Sequence, residues 1–162
     1  MCIFADANMM LELHNVTIGQ QIRGLSVTVS EGNVLSITGP KGSGKTTLLR
    51  AVLGFLSVDG GHISIDGELL TPCSAPYFRK RMAYVPQKLV VPDDYHEVPT
   101  DYLSLLKKAV ESGRPLLIVD EPSQDVSASE KEQIDRMLLD AAQRGTTVLA
   151  VNTQITDNKA QL

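Results

Sequence analysis

Cysteine and long apolar runs are scarce or missing in this sequence, and each shortage excludes a class of protein. Two cysteines, Cys2 and Cys73, are too few for a disulfide framework and lack metal-site spacing, so we expect reduced thiols in a cytoplasm. No apolar run approaches the roughly 18 residues that a membrane-spanning helix needs. Residues 1–8 contain an acid and no basic start, unlike a secretory signal. The net charge of −4 gives no basic excess, so nucleic acid is not expected as a partner.

The remaining composition is that of one ordinary globular domain. Of the 162 residues, 43% are hydrophobic and 21% are charged. We expect residues 1–9 to form a flexible leader and residues 10–162 to form a single domain.

A glycine-rich loop is the most specific motif in the chain. Gly39, Gly44, Lys45 and Thr46 match the phosphate-binding pattern G-x-x-x-x-G-K-[ST]. The glycines allow backbone N–H groups to point at phosphate, Lys45 would reach the β- and γ-phosphates, and the Thr46 hydroxyl would hold Mg²⁺. Chance produces such a match in a chain of this length on the order of one time in a hundred or less. The alternative is a glycine-rich turn that binds nothing.

The neighbouring segments provide the context that this motif requires. Val34 to Thr38 is predicted as a buried strand, and Leu48 to Leu53 as a short helix that ends at Gly54. A strand, a glycine loop and a helix in that order form the phosphate-binding unit of nucleotide-binding proteins.

The rest of the chain predicts an α/β domain with three layers and a mainly parallel central sheet. Thr100 is predicted to cap a helix that ends at Gly113, and Ser127 with Glu130 forms a capping box for the next helix. Alternating apolar residues early in the chain predict a smaller antiparallel sheet. The further predicted strands are residues 11–16, 25–29, 62–67, 82–85, 116–120 and 146–151.

Two acids at the end of an apolar strand form the second chemical motif. Asp120 follows Leu116 to Val119 directly, where a P-loop nucleotidase needs an acid for the Mg²⁺ shell. Glu121 could polarise the attacking water. The alternatives are that Asp120 is a strand-end turn residue and that Glu121 is a structural hydrogen-bond acceptor.

Four segments in this order resemble the ATP-binding cassette (ABC) ATPases: residues 11–16, 39–47, 84–87 and 116–122. The resemblance covers roughly residues 10 to 154 and implies the ABC version of the P-loop core with an antiparallel subdomain.

The resemblance also implies ATP and Mg²⁺ as ligands and assigns roles to individual residues. Gln87 would contact Mg²⁺ and the attacking water, Asp120 would be the Walker B aspartate that binds Mg²⁺ with Thr46, and Glu121 would be the catalytic glutamate. The residues expected to hold the nucleotide phosphates are Gly39, Pro40, Lys41, Gly42, Ser43, Gly44, Lys45, Thr46 and Thr47.

The family signature near Leu-Ser-Gly-Gly-Gln, which grips the γ-phosphate of the opposing subunit, has no match here. Glu97 stands where the family has serine, and Val98 and Pro99 stand in place of two glycines. Proline removes an N–H donor, and glutamate repels phosphate. Only residues 88–95 separate Gln87 from this region, so the family's helical subdomain, which helps to dock a membrane subunit, is missing.

Other family features are also absent. Residues 123–127 do not reproduce the loop after Walker B, and Thr153 replaces the switch histidine. Residues 18–20 offer no aromatic for the adenine, which leaves Ile18 for apolar contact.

Three functions stay open at this stage. The first is an ABC-type ATPase that turns over slowly or only with a second ABC subunit that supplies the signature, located in the cytoplasm and held at the inner face of a membrane through that partner. The second is a nucleotide-binding regulatory or assembly module without turnover. The third is a reduced remnant with a fold and no active role.

Overall fold

The computed structural model describes residues 9–87, 101–121 and 126–151, together with the backbone of Lys159–Gln161. Within these ranges, none of the helices is long and apolar enough to cross a bilayer. The elements follow in the order β1 (Leu11–Ile18), β2 (Ile22–Val29), β3 (Val34–Thr38), α1 (Lys45–Val52), β4 (Gly60–Ile65), β5 (Glu68–Leu69), α2 (Ala75–Arg79), β6 (Met82–Val85), α3 (Tyr102–Glu111), β7 (Leu116–Val119), α4 (Ala128–Gln143), β8 (Thr147–Val151) and β9 (Lys159–Gln161).

A parallel sheet in the order β6-β7-β8-β3-β9 forms the central layer. Strands β7 and β8 are buried at every position, and all of their residues except Thr147 are apolar. In β7, Leu116 and Ile118 pack with α1 and the antiparallel sheet, whereas Leu117 and Val119 pack with α3 and α4. This arrangement confirms the predicted α/β core with three layers.

An antiparallel sheet in the order β2-β1-β4-β5 lies beside the core. Leu11 and Leu13 of β1 are buried, and the residues between and after them are more exposed, as expected for a half-covered sheet. The predicted small antiparallel sheet is therefore confirmed, although β2 begins at Ile22 and not at residue 25.

Several predicted boundaries are displaced. Helix α1 begins at Lys45, three residues before the predicted start, since Gly44 with φ +95° lets the chain turn from the loop directly into the helix. The cap of α3 is Asp101 and not Thr100, because the Asp101 carboxylate accepts hydrogen bonds from the Ser104 N–H at 3.0 Å and the Ser104 hydroxyl at 2.8 Å. The capping box of Ser127 and Glu130 is confirmed.

The folded part includes one residue of the predicted leader. Met9 is fully buried, and its carbonyl accepts a hydrogen bond from the Thr147 hydroxyl at the start of β8. Met9 therefore belongs to the domain, while residues 1–8 lie outside the described ranges.

Candidate nucleotide-binding site

The loop between β3 and α1 forms one wall of a cleft of about 450 Å³. Of the predicted site residues, those that line the cleft are Gly39, Lys41, Gly42, Gly44, Lys45, Thr46, Thr47, Gln87, Asp120 and Glu121. Pro40 and Ser43 lie in the same loop but do not line the cleft. The fold thus brings together residues that are separated by more than eighty positions in the sequence.

Thr46 and Asp120 meet directly in this cleft. The Thr46 hydroxyl donates a hydrogen bond to Asp120 Oδ2 at 3.3 Å, and Asp120 Oδ1 accepts one from the Glu121 N–H at 2.8 Å. The contact arises because β7 and β3 end at the same edge of the parallel sheet, so residues after each strand lie close together. Two of the three predicted metal ligands, Thr46 and Asp120, are therefore in direct contact.

Lys45 and Ser43 are held by the loop itself. The Lys45 ammonium donates to the Gly39 carbonyl at 2.5 Å and to the Pro40 carbonyl at 3.1 Å. The Ser43 N–H also donates to the Pro40 carbonyl, at 3.1 Å. The Ser43 hydroxyl is buried and has no hydrogen-bond partner among the described residues. A buried hydroxyl without a partner calls for an explanation, and a phosphate oxygen bound at this loop would supply one.

Helix α1 points its N-terminus at the same cleft. Its first turn contains no acidic residue, so no carboxylate competes with an anion for the free N–H groups there. The loop, Lys45 and the helix start therefore present positive charge and hydrogen-bond donors to one region of space.

The oxygen-bearing side chains at the cleft suit a hard divalent cation. Thr46, Gln87 and Asp120 offer a hydroxyl, an amide and a carboxylate oxygen, the donor types that Mg²⁺ prefers. The described ranges contain no cluster of three His, Cys, Asp or Glu residues that could hold a metal. This donor set fits Mg²⁺ bound by few protein ligands with phosphate oxygens, and not a site built from protein ligands alone.

Asp120 is a buried acid whose pKa is raised. Only 4% of this residue is exposed, and burial raises the pKa of its carboxyl, an effect that the hydrogen bonds from Glu121 and Thr46 oppose. An acid whose folded-state pKa is raised is less stable in its charged form in the folded protein than in the unfolded chain. Asp120 thus lowers the stability of the free chain at neutral pH.

We therefore expect Asp120→Asn to stabilise the nucleotide-free chain at pH 7. The gain should shrink as the pH falls through the raised pKa and vanish below the ordinary aspartate pKa, where both states bind the proton. Urea unfolding between pH 3 and pH 8 measures this effect. Asp140→Asn, at an exposed position of α4, is the control and should change stability by no more than about 0.5 kcal/mol. A loss of stability in Asp120→Asn at pH 7 would contradict the expected sign.

Two residues next to the site were missed by the sequence interpretation. The hydroxyl of Tyr102, the first residue of α3, donates to the Asp120 carbonyl and fixes the end of β7. Burial raises the pKa of Tyr102, and the charges of Asp120 and Glu121 add to this effect. Gln21, between β1 and β2, lines the cleft and donates from Nε2 to the Gly42 carbonyl at 3.1 Å. A tyrosine after a helix cap and a glutamine in a turn carry no motif that could have identified them.

The burial of Ile18 leaves little surface for one predicted contact, and other predicted features lie outside the described residues. Ile18 is only 6% exposed and packs in the core, so little of its side chain is available to an adenine ring. The substituted signature at 96–100, residues 122–125 and Thr153 lie outside the described residues.

Three features together define a P-loop nucleotide-binding domain. A glycine loop follows a buried parallel strand, a lysine and a threonine begin the next helix, and a carboxylate lies at the end of another strand of the same sheet. The family model described as ABC transporter matches residues 22–109, a little over half of the chain. The chain belongs to this family and is an ABC nucleotide-binding domain.

Curated relatives and solved structures agree with this assignment. The chain is 40% identical over 84 residues to the Fe(3+) ions import ATP-binding protein FbpC 2 of Pectobacterium atrosepticum, covering 48% of this chain and 24% of the relative. It is 31% identical over 146 residues to the zinc import ATP-binding protein ZnuC of Pseudomonas fluorescens, covering 80% of this chain and 49% of the relative. The structure of an ATP-binding subunit of an ABC transporter superposes with a TM-score of 0.76 at 16% identity, covering 94% of this chain and 85% of that one, which supports the fold.

The chain spans about a quarter of the first of these curated relatives and about half of the second.

Proposed function

We propose that this chain binds MgATP in the cleft at the end of β3 and hydrolyses it slowly, or only with a partner that supplies the signature motif. The observation that carries the proposal is the pairing of the Thr46 hydroxyl with the Asp120 carboxylate at 3.3 Å, beside Lys45 and the glycine loop. A hydroxyl and a carboxylate from two separate strand ends provide the oxygen ligands with which P-loop proteins hold Mg²⁺.

The phosphate chain would bind along the Gly39–Thr47 loop. Its oxygens would replace the Gly39 and Pro40 carbonyls as acceptors for the Lys45 ammonium, which gains a charge-assisted partner. The unpaired Ser43 hydroxyl and the first N–H groups of α1 would add neutral donors. Binding thus exchanges contacts within the loop for contacts with the ligand.

Thr46, Asp120 and Gln87 would hold the Mg²⁺ ion, which when bound neutralises phosphate charge. Glu121, partly buried at the same cleft, would orient the attacking water and accept its proton. Tyr102 would keep Asp120 and Glu121 in place through the Asp120 carbonyl.

The proposed partner is a second ABC subunit with an intact signature. At the signature position, residues 96–100 include Glu97 and Pro99. Glu97 adds a negative charge that would repel phosphate, and Pro99 has no backbone N–H to donate to it. Two copies of this chain would therefore give two incomplete sites. A partner that contacts a membrane subunit would hold the chain at the inner face of a membrane.

A second candidate function is nucleotide binding without turnover, as a regulatory or assembly module. The same substituted signature and Thr153 in place of the switch histidine favour it, since both changes remove groups that the family uses for hydrolysis. The presence of Asp120 and Glu121 in the cleft favours the ATPase.

A calorimetric titration with MgATP, run beside a phosphate-release assay, tests the proposal. We expect the chain alone to bind MgATP and to release phosphate well below the roughly 1–10³ s⁻¹ of typical enzymes. Adding an ABC subunit with an intact signature should raise the release rate. Binding without release in the presence of such partners would support the module. Rapid release by the chain alone, abolished by Glu121→Gln, would exclude the partner requirement, and no binding at millimolar MgATP would overturn the proposal.

A further inference from the structure

The turn between β1 and β2 reaches across to the phosphate loop. Gln21 in this turn lies 21 positions before Gly42, and its Nε2 is 3.1 Å from the Gly42 carbonyl oxygen. Because a carbonyl only accepts hydrogen bonds, the amide nitrogen must be the donor in this contact. The antiparallel sheet is thereby tied to the loop by a side chain that no sequence motif identifies.

Gly44 keeps this contact close. A Cβ atom at Gly44 would lie 3.1 Å from Gln21 Cβ and 3.2 Å from Ile22 Cγ1, both tighter than ordinary van der Waals contact. Gly44 also has a φ of +95°, which side chains disfavour. The glycine therefore serves the approach of Gln21 as well as the turn of the loop.

The peptide group between Gly42 and Ser43 is held at both ends. Its carbonyl accepts from Gln21, and its N–H donates to the Pro40 carbonyl at 3.1 Å, across the inside of the loop. In a planar trans peptide the C=O and N–H bonds point in opposite directions. Holding the carbonyl outward toward Gln21 thus keeps the Ser43 N–H pointed inward.

From this geometry we infer that Gln21 is a positioning residue for the phosphate chain, which it serves by fixing the orientation of the Gly42–Ser43 peptide. The inference rests on the proposed function, since the inward Ser43 N–H is the donor that phosphate oxygens would take from the Pro40 carbonyl. Gly42 has a φ of +84°, and a Cβ atom placed on it would meet no atom beyond its chain neighbours within 4 Å, so packing around the Gly42 α-carbon does not hold this peptide. Gln21 adds a restraint at the carbonyl end to the one that the Pro40 carbonyl provides at the N–H end.

Gln21→Ala tests the inference, with Gln20→Ala as the matched control. Both residues are exposed glutamines of one turn, but only Gln21 lines the cleft. Loss of one neutral hydrogen bond should weaken binding of MgATP and MgADP by about three- to tenfold in Gln21→Ala. Binding of magnesium tripolyphosphate, which has the phosphate chain and no base, should be weakened by the same factor. Gln20→Ala should bind all three probes as the unchanged chain does.

Amide hydrogen exchange of the nucleotide-free chain provides a readout that does not depend on binding. The Ser43 amide should exchange faster in Gln21→Ala than in Gln20→Ala, and the unfolding midpoint should stay the same in both. Equal affinities and equal Ser43 exchange in the two variants would overturn the inference. A loss confined to ATP and ADP, with tripolyphosphate unaffected, would also overturn it, because Gln21 would then act on the base or ribose.

The same measurements separate this inference from the proposed function. If the unchanged chain binds no MgATP, the proposed function fails and the positioning role fails with it, whatever the exchange rates. The other case is that the unchanged chain binds MgATP, that Lys45→Ala abolishes this binding, and that Gln21→Ala has the same affinities and the same Ser43 exchange as Gln20→Ala. The proposed function then stands, and only the positioning role is wrong.

Discussion

Glu121→Gln is expected to retain MgATP binding and to lower partner-stimulated phosphate release by about 10²- to 10⁴-fold. Glutamine has the shape of glutamate but cannot accept a proton as a general base, and loss of a general base has effects of this size. Glu121 lines the cleft beside Asp120, and its N–H donates to the Asp120 carboxylate at 2.8 Å. The backbone contact survives the substitution, so Asp120 should stay in place.

The measurement compares single-turnover phosphate release with equilibrium affinity for the same preparations. Glu132→Gln in α4 is the control, because this exposed glutamate pairs with Arg136 at 2.6 Å in a surface contact of the kind that contributes little. Equal release rates for Glu121→Gln and Glu132→Gln would exclude Glu121 as the base. A parallel loss of MgATP affinity would mean that Glu121 acts in binding.

Lys45→Ala is expected to weaken MgATP binding by about 100-fold, since hydrogen bonds to charged groups are the strongest polar contacts available to a ligand. The Lys45 ammonium lies over the loop on the Gly39 and Pro40 carbonyls. Its removal takes away a cation that lies on the loop and lines the cleft. Fluorescence titration with a labelled ATP analogue would measure the loss.

Lys131→Ala provides the control for charge alone, because Lys131 is exposed on α4 and does not line the cleft. It removes the same charge and should leave the affinity unchanged within experimental error. If Lys45→Ala bound MgATP as tightly as Lys131→Ala, the glycine loop would not be the phosphate site. The alternative of a glycine-rich turn that binds nothing would then be correct.

The central sheet and the cleft could be predicted because local patterns encode them. The continuous apolar run of β7 requires a sheet covered on both faces, and Asp120 follows it at the edge where β3 also ends. Once both strands are parallel and close in the sheet, the loop and the acid have to converge. The pairing of Thr46 with Asp120 is thus the geometric consequence of two motifs that the sequence contains.

Contacts between distant turns and side chains could not be predicted in this way. Gln21 reaches Gly42 only because β1 and β2 lie against the core, and Tyr102 reaches the Asp120 carbonyl only because α3 packs on β7. Single polar residues in turns have no periodicity, so the sequence does not indicate which neighbour they meet. The displacement of the α3 cap to Asp101 has a related cause, since adjacent Thr100 and Asp101 are both good capping residues.

The pairing of β3 on both sides has a thermodynamic consequence for any ligand. Strand β3 pairs with β8 from Val34 to Ile37 and with β9 from Ser36 to Thr38, so it is paired on both edges at Ser36 and Ile37 and on one edge at Thr38, the residue before Gly39. At the other end, α1 begins at Lys45 and is buried through Leu48 and Leu49. Within this strand, loop and helix, the segment left between the two anchors is residues 39–44. Folding has already ordered the strand and the helix on either side of the phosphate loop. Ligand binding at the loop should therefore cause only a small loss of chain conformational entropy.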